Sequence, residues 1–116
     1  MALQWDFNQD FVGIVKDANG EICNLYTGNA LAIIVSETEK IYGLRWFAGN
    51  EQHLKDMLAD DRFKADIAGM SFTFKHDTLK YPKVKTLIKL LTGHAEITLA
   101  GPSTVIERKI YNDTKN

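Results

Sequence analysis

Between Lys75 and Lys89 the chain carries five lysines, Lys75, Lys80, Lys83, Lys85 and Lys89, against one acid, Asp77, with Tyr81 set among them. Ammonium groups neutralise phosphates, and an aromatic ring offers a stacking surface to an unpaired base. The composition therefore suits a single-stranded polyanion. Lys85 and Lys89 are four apart, which on a helix stacks them on one side. Val84, Leu87, Ile88 and Leu91 form the opposing apolar stripe. Lys75 and Lys80 flank the start of that helix, and Arg108, beside Lys109, would extend the patch from a later strand. The candidate nucleic-acid contacts are thus Lys75, Lys80, Tyr81, Lys83, Lys85, Lys89 and Arg108. A plainer account covers the same residues, because amphipathic helices routinely carry lysine on their wet face. No arginine occurs between positions 63 and 107, so the bidentate, stacked recognition that a guanidinium provides is missing from the stretch.

Other reactive side chains point to no catalysis. His53 and Asp56, at i and i+3, could share a helix face, but a solvated surface pair is the commoner arrangement. His94 follows Gly93 at an expected helix end, where an imidazolium complements the dipole. Cys23, the only cysteine, sits between Ile22 and Leu25 with no base near it in sequence, which reads as a core residue. No His-x₃-His or Cys-x₂-Cys pair provides metal-ligand spacing. Gly43 and Gly49 are followed by no Gly-Lys-Ser/Thr of a phosphate loop. Asp60-Asp61 look like a helix terminus. A non-enzymatic protein is expected, with no cofactor and no metal.

Length and composition bound the remaining choices. The chain has 116 residues, 45% of them hydrophobic, which suits one domain spanning 1–116 with a polar tail at 112–116 expected to fray. One cysteine rules out an intramolecular disulfide. Met1 to Asp10 contains no lysine or arginine and lacks the basic and apolar blocks of a signal peptide, so the cytoplasm is the expected compartment. The longest apolar run, Ala30–Val35, is far short of the ~20 residues of a membrane helix. Net charge is −1 but uneven: residues 1–74 hold 6 Lys/Arg and 11 Asp/Glu, residues 75–116 hold 8 and 4. Such asymmetry marks an interaction surface when the basic half presents one face.

The elements that must position these residues follow from periodicity. Phe11–Val15 and Glu21–Tyr26 read as strands joined at Asn19-Gly20, the strongest short hairpin signal. Ala30–Val35 is a third strand, apolar on both faces, and Ile41–Phe47 a fourth with Tyr42, Leu44 and Trp46 on one face. Asn50 caps a helix carrying Leu54, Met57 and Leu58. Met70–Phe74 alternates as a strand, Pro82 opens the second helix and Gly93 closes it. Ile97 and Leu99 make a sixth strand and Val105–Tyr111 a seventh. The expected core comprises Ile33, Leu44, Leu54, Leu58, Phe72, Leu87, Leu91 and Leu99.

Two helices cannot cover both faces of seven strands. The sequence therefore predicts an α+β domain: a strongly curved, mostly antiparallel sheet or small barrel of about seven strands with two helices. In its size, its strand-rich layout and its opening Trp5-Asp6-Phe7, the chain resembles the PrgU-type proteins of Gram-positive conjugative plasmids. The resemblance implies a barrel-like domain related to PUA RNA-binding folds and a regulatory role, and it transfers no functional residue. The expected function is a small regulatory or accessory protein binding RNA or another single strand through the lysine-rich strand–helix junction. The alternative is a protein–protein or inhibitor module of phage or plasmid origin. No membrane contact is expected, and the sequence is silent on oligomeric state.

Overall fold

The computed structural model describes residues 9–36 and 43–109. Its elements run β1 (Asp10–Lys16), β2 (Ile22–Thr27), β3 (Ala32–Ser36), β4 (Gly43–Ala48), α1 (Glu51–Leu58), α2 (Asp61–Ala68), β5 (Ser71–Phe74), a 3₁₀ turn at His76–Thr78, α3 (Pro82–Leu91) and β6 (Glu96–Leu99). The Asn19-Gly20 segment does join directly paired antiparallel strands, from Lys16 opposite Ile22 to Asp10 opposite Thr27. Gly20 takes φ +85°, which a side chain would disfavour. The Asp17 carboxylate accepts the backbone N–H groups of Asn19 and Glu21, both at 2.9 Å, and so braces the turn.

One mixed sheet has the order β4-β3-β2-β1-β5-β6. All neighbours are antiparallel except β5 and β6, which are parallel because α3 supplies the crossover between them. The α+β class is as expected, whereas the seven-stranded barrel is not: the sheet is open, with β4 and β6 at its edges. Two reasons are visible. A third helix, α2, joins α1 and α3 over one face, so that face is buried without closure. Asp60, expected to end a helix, instead caps α2 by accepting the Arg62 N–H at 2.8 Å. Within the expected seventh strand, residues 105–109 form no ladder. The Lys109 N–H and C=O pair instead with the Asn24 side-chain amide, at 2.8 and 2.7 Å. The rest of that strand, and the 112–116 tail, lie outside the described residues.

The main core lies between the sheet and the helices. Val15, Cys23, Leu25, Ile34, Phe72 and Phe74 meet Leu54, Leu58, Ile67, Val84, Leu87 and Leu91 there. A second cluster, Tyr26, Ala30, Ile33 and Val35 with Phe11 against it, occupies the opposite face. Ile33 therefore belongs to a different core from Leu54 and Leu87. Leu44 and Leu99, expected inside, are 46% and 53% exposed on the edge strands. In β4 the register shifts so that Leu44 pairs with Val35 and Trp46 with Ile34, leaving Arg45 as the extra residue. That bulge puts Leu44 and Trp46 on opposite faces rather than one. Trp46 turns to the helices and packs edge-on against Phe63 of α2, centroids 5.1 Å apart.

Candidate functional site

Helix α3 presents the basic residues as its periodicity requires. Val84, Leu87 and Leu91 are fully buried, which turns Lys85 and Lys89 outward. Tyr81, the N-cap, lies four residues before Lys85, so Tyr81, Lys85 and Lys89 run at i, i+4 and i+8 along one exposed line. Tyr81 is 38% exposed. Lys80, just ahead of it, is also exposed. Lys80, Lys85 and Lys89 make no ion pair among the described residues. The first turn of α3 holds no acid, and its N-cap side chain makes no capping bond. Lysines there sit at the positive end of the helix dipole, a placement that helix stability disfavours.

The remaining candidates are used differently. Lys83 donates to the Gly28 and Asn29 carbonyls, tying α3 to the β2–β3 turn, so its ammonium is engaged within the fold. Lys75 lies over the Phe11 ring, 5.3 Å from its centroid, within cation–π range. Arg108 does not join the α3 line. Its neighbour Lys109 rests on the Asn24 side chain, and Asn24 alternates with Cys23 and Leu25, which face the helices. Arg108 therefore lies across the sheet from Lys85 and Lys89.

Lys75 borders a cleft of about 320 Å³, lined also by His76, Asp77, Pro102, Thr104, Val105 and Ile106. The Lys75 wall is fixed by two hydrogen bonds. The Lys75 N–H donates to the Val12 carbonyl at 2.8 Å, and Thr78 Oγ1 donates to the Lys75 carbonyl at 2.8 Å. Opposite, the Thr104 N–H closes a turn on the Gly101 carbonyl at 3.0 Å. Sequence reasoning missed this cleft, because Gly101–Ile106 carries no motif and reaches Lys75 only through the fold.

A second cluster was also invisible in the sequence. The Arg45 guanidinium, on the β4 bulge, meets Asp17 at 2.8 Å, Asp66 of α2 at 3.4 Å and Glu21 at 3.7 Å. Glu21 also accepts from the Ser36 hydroxyl. Burial by itself would raise the Asp17 pKa. The Glu21 N–H, the Arg45 guanidinium and the Asn19 N–H outweigh that and hold it below its ordinary value. The arrangement pins the β1–β2 turn to β4 and α2, and the charges are consumed in doing so.

His53 and Asp56 do not form a pair. His53 Nδ1 accepts the Gly49 N–H at 2.9 Å, while Asp56 accepts from Gln52 at 2.9 Å. Cys23 is buried, as its neighbours implied. Among the described residues no group of three His, Cys, Asp or Glu side chains is placed to hold a metal, and no helix is long and apolar enough to cross a membrane. No family model, curated protein or solved structure matches the chain.

Proposed function

We propose that the protein is a non-enzymatic regulatory or accessory protein that binds single-stranded nucleic acid, RNA foremost, along the α3 line of Tyr81, Lys85 and Lys89 with Lys80 at its head. The observation that carries the reading is the absence of acidic partners for these lysines among the described residues, with Lys85 set near the helix start, where its charge opposes the dipole. A lysine placed only for solubility gains from an acid one turn away, as Lys55 does with Glu51 at 3.3 Å. Lys85 and Lys89 forgo that gain. A ring at the head of two cations supplies the stacking platform and phosphate contacts that a flexible strand requires. A duplex reading is weaker, since this face offers no arginine, asparagine or glutamine for bidentate contacts to base edges, while the Tyr81 ring suits an unstacked base.

Titration of labelled single-stranded RNA at two salt concentrations tests the reading. Saturable binding at low salt should weaken as salt rises, with a log–log slope of about −0.7 per phosphate neutralised. Lys80→Glu with Lys85→Glu should abolish binding with the fold intact. Tyr81→Ala should cost about 1–3 kcal/mol of binding if a base stacks there. Absence of saturable binding at low salt, or an unaffected double variant, refutes the reading.

A protein partner is the second reading, favoured by Leu44 and by Phe47, 40% exposed, on the edge strand β4. Loss of partner binding on Leu44→Lys with Phe47→Lys, while Lys80→Glu/Lys85→Glu is silent, would select it.

A further inference from the structure

We infer that the cleft between the β5–α3 connection and the Gly101–Ile106 segment takes one unpaired nucleotide of the bound strand, its phosphate at Lys75 and its base against Pro102, Val105 and Ile106. The inference rests on the single-strand reading above and adds a second, separate point of contact. Four observations carry it. The cleft volume, about 320 Å³, lies at the lower end of the ~300–1,000 Å³ of ligand clefts, so one small ring-bearing ligand is the natural occupant. Its lining is divided: Lys75, His76 and Asp77 on one side are polar, Pro102, Val105 and Ile106 on the other apolar, and Thr104 adds a hydroxyl. An anionic group joined to a flat, largely apolar ring matches that division. Lys75 makes no ion pair among the described residues, and the Phe11 face holds its ammonium in place. The Lys75 wall is set by the hydrogen bonds already described, so that side of the cleft is formed before binding.

Position links the cleft to the α3 line. Asp77 and Tyr81 are four peptide units apart, so their Cα atoms lie no more than ~15 Å from each other. The Tyr81 N–H donates to the Thr78 carbonyl at 3.0 Å, which tightens that connection further. A strand stacked at Tyr81 therefore reaches the cleft within a few nucleotides. Entry of a base demands that it be unstacked and unpaired, which selects single strands over duplex.

Backbone amide shifts on titration with uridine 5′-monophosphate, adenosine 5′-monophosphate and inorganic phosphate provide the test. Either mononucleotide should saturate shifts at Lys75, His76, Thr104, Val105 and Ile106, with phosphate at least tenfold weaker. Lys75→Gln should weaken mononucleotide binding at least tenfold. Thr104→Tyr, at an exposed position, should do the same by filling the cleft, so that a folding defect in one variant leaves the other informative. RNA binding without any mononucleotide shift at these residues overturns the cleft assignment and spares the α3 reading. Mononucleotide binding without RNA binding overturns both the α3 reading and the place of the cleft on a bound strand, and leaves a site for free mononucleotides. Phosphate binding as tight as either mononucleotide overturns the assignment of a base to the apolar wall.

Discussion

Asp17 and Glu21 come from the β1–β2 turn and Asp66 from α2, and one guanidinium serves all three. The Asp17 side chain is 6% exposed, so removal of Arg45 leaves a buried carboxylate with backbone N–H donors and no cation. Arg45→Met should lower Tm by about 4 °C or more in a domain of this size, read by thermal denaturation at neutral pH. The pH dependence follows from the direction of the Asp17 shift. A carboxylate whose pKa is lower folded than unfolded contributes stability above its unfolded value, and that contribution is lost as pH falls through the folded one. The stability difference between the native chain and Asp17→Asn should therefore be constant from pH 7 down to roughly pH 4, the ordinary aspartate value. It should shrink below that point. Denaturant midpoints at pH 7, 5, 4 and 3 give the comparison; a difference that grows on acidification contradicts it.

Helix α3 and the edge strands show how far an element can be anticipated from its pattern. The stripe of Val84, Leu87 and Leu91 places all three at full burial, and Leu87→Ala should cost about 2–5 kcal/mol in denaturant unfolding. Leu99 alternates just as convincingly in the sequence yet ends an edge strand, half exposed, so Leu99→Ala should cost within about 0.5 kcal/mol. Alternation reports which face a residue takes and says nothing about whether a neighbour covers it. Helix α2 has no legible period in the sequence, because Phe63 and Ile67 are its only large apolar positions. A period of 2 puts Trp46 and Leu44 on one face only if the ladder is unbroken, and the bulge at Arg45 is set by pairing with β3. Gly13 marks another tertiary demand: a Cβ there would run into the Thr73 carbonyl oxygen of β5. Gly13→Val should therefore disrupt the β1–β5 ladder and raise amide exchange at its paired positions, Ile14, Val15, Phe72 and Thr73.

Across the whole molecule, the sheet separates two basic regions that the sequence ran together. Asn24, 4% exposed, holds the segment carrying Arg108 against the face away from the helices by imitating a strand neighbour's N–H and C=O. Asn24→Ala should cost about 1–3 kcal/mol, the range for a buried polar pairing lost. It should also speed exchange of the Lys109 amide and trypsin cleavage after Arg108, with the β1–β5 ladder unaffected. Unchanged cleavage would mean that the segment is held elsewhere.

The linear chain was sufficient for whatever depends on neighbours a few residues apart. The β1–β2 hairpin at Asn19-Gly20, the Asn50 cap of α1, the Pro82–Gly93 bounds of α3 and the outward turn of Lys85 and Lys89 are all local consequences of backbone preference and a period of 3.6. Tertiary structure alone decided how the described strands share the sheet, that it stays open, which lysines are engaged inside the fold and which have no ion pair among the described residues. It also brought Thr104 to Lys75 and Arg45 to three acids. These outcomes depend on contacts between residues tens of positions apart, and such contacts arise from the competition of whole faces for burial. No spacing along the chain records that competition.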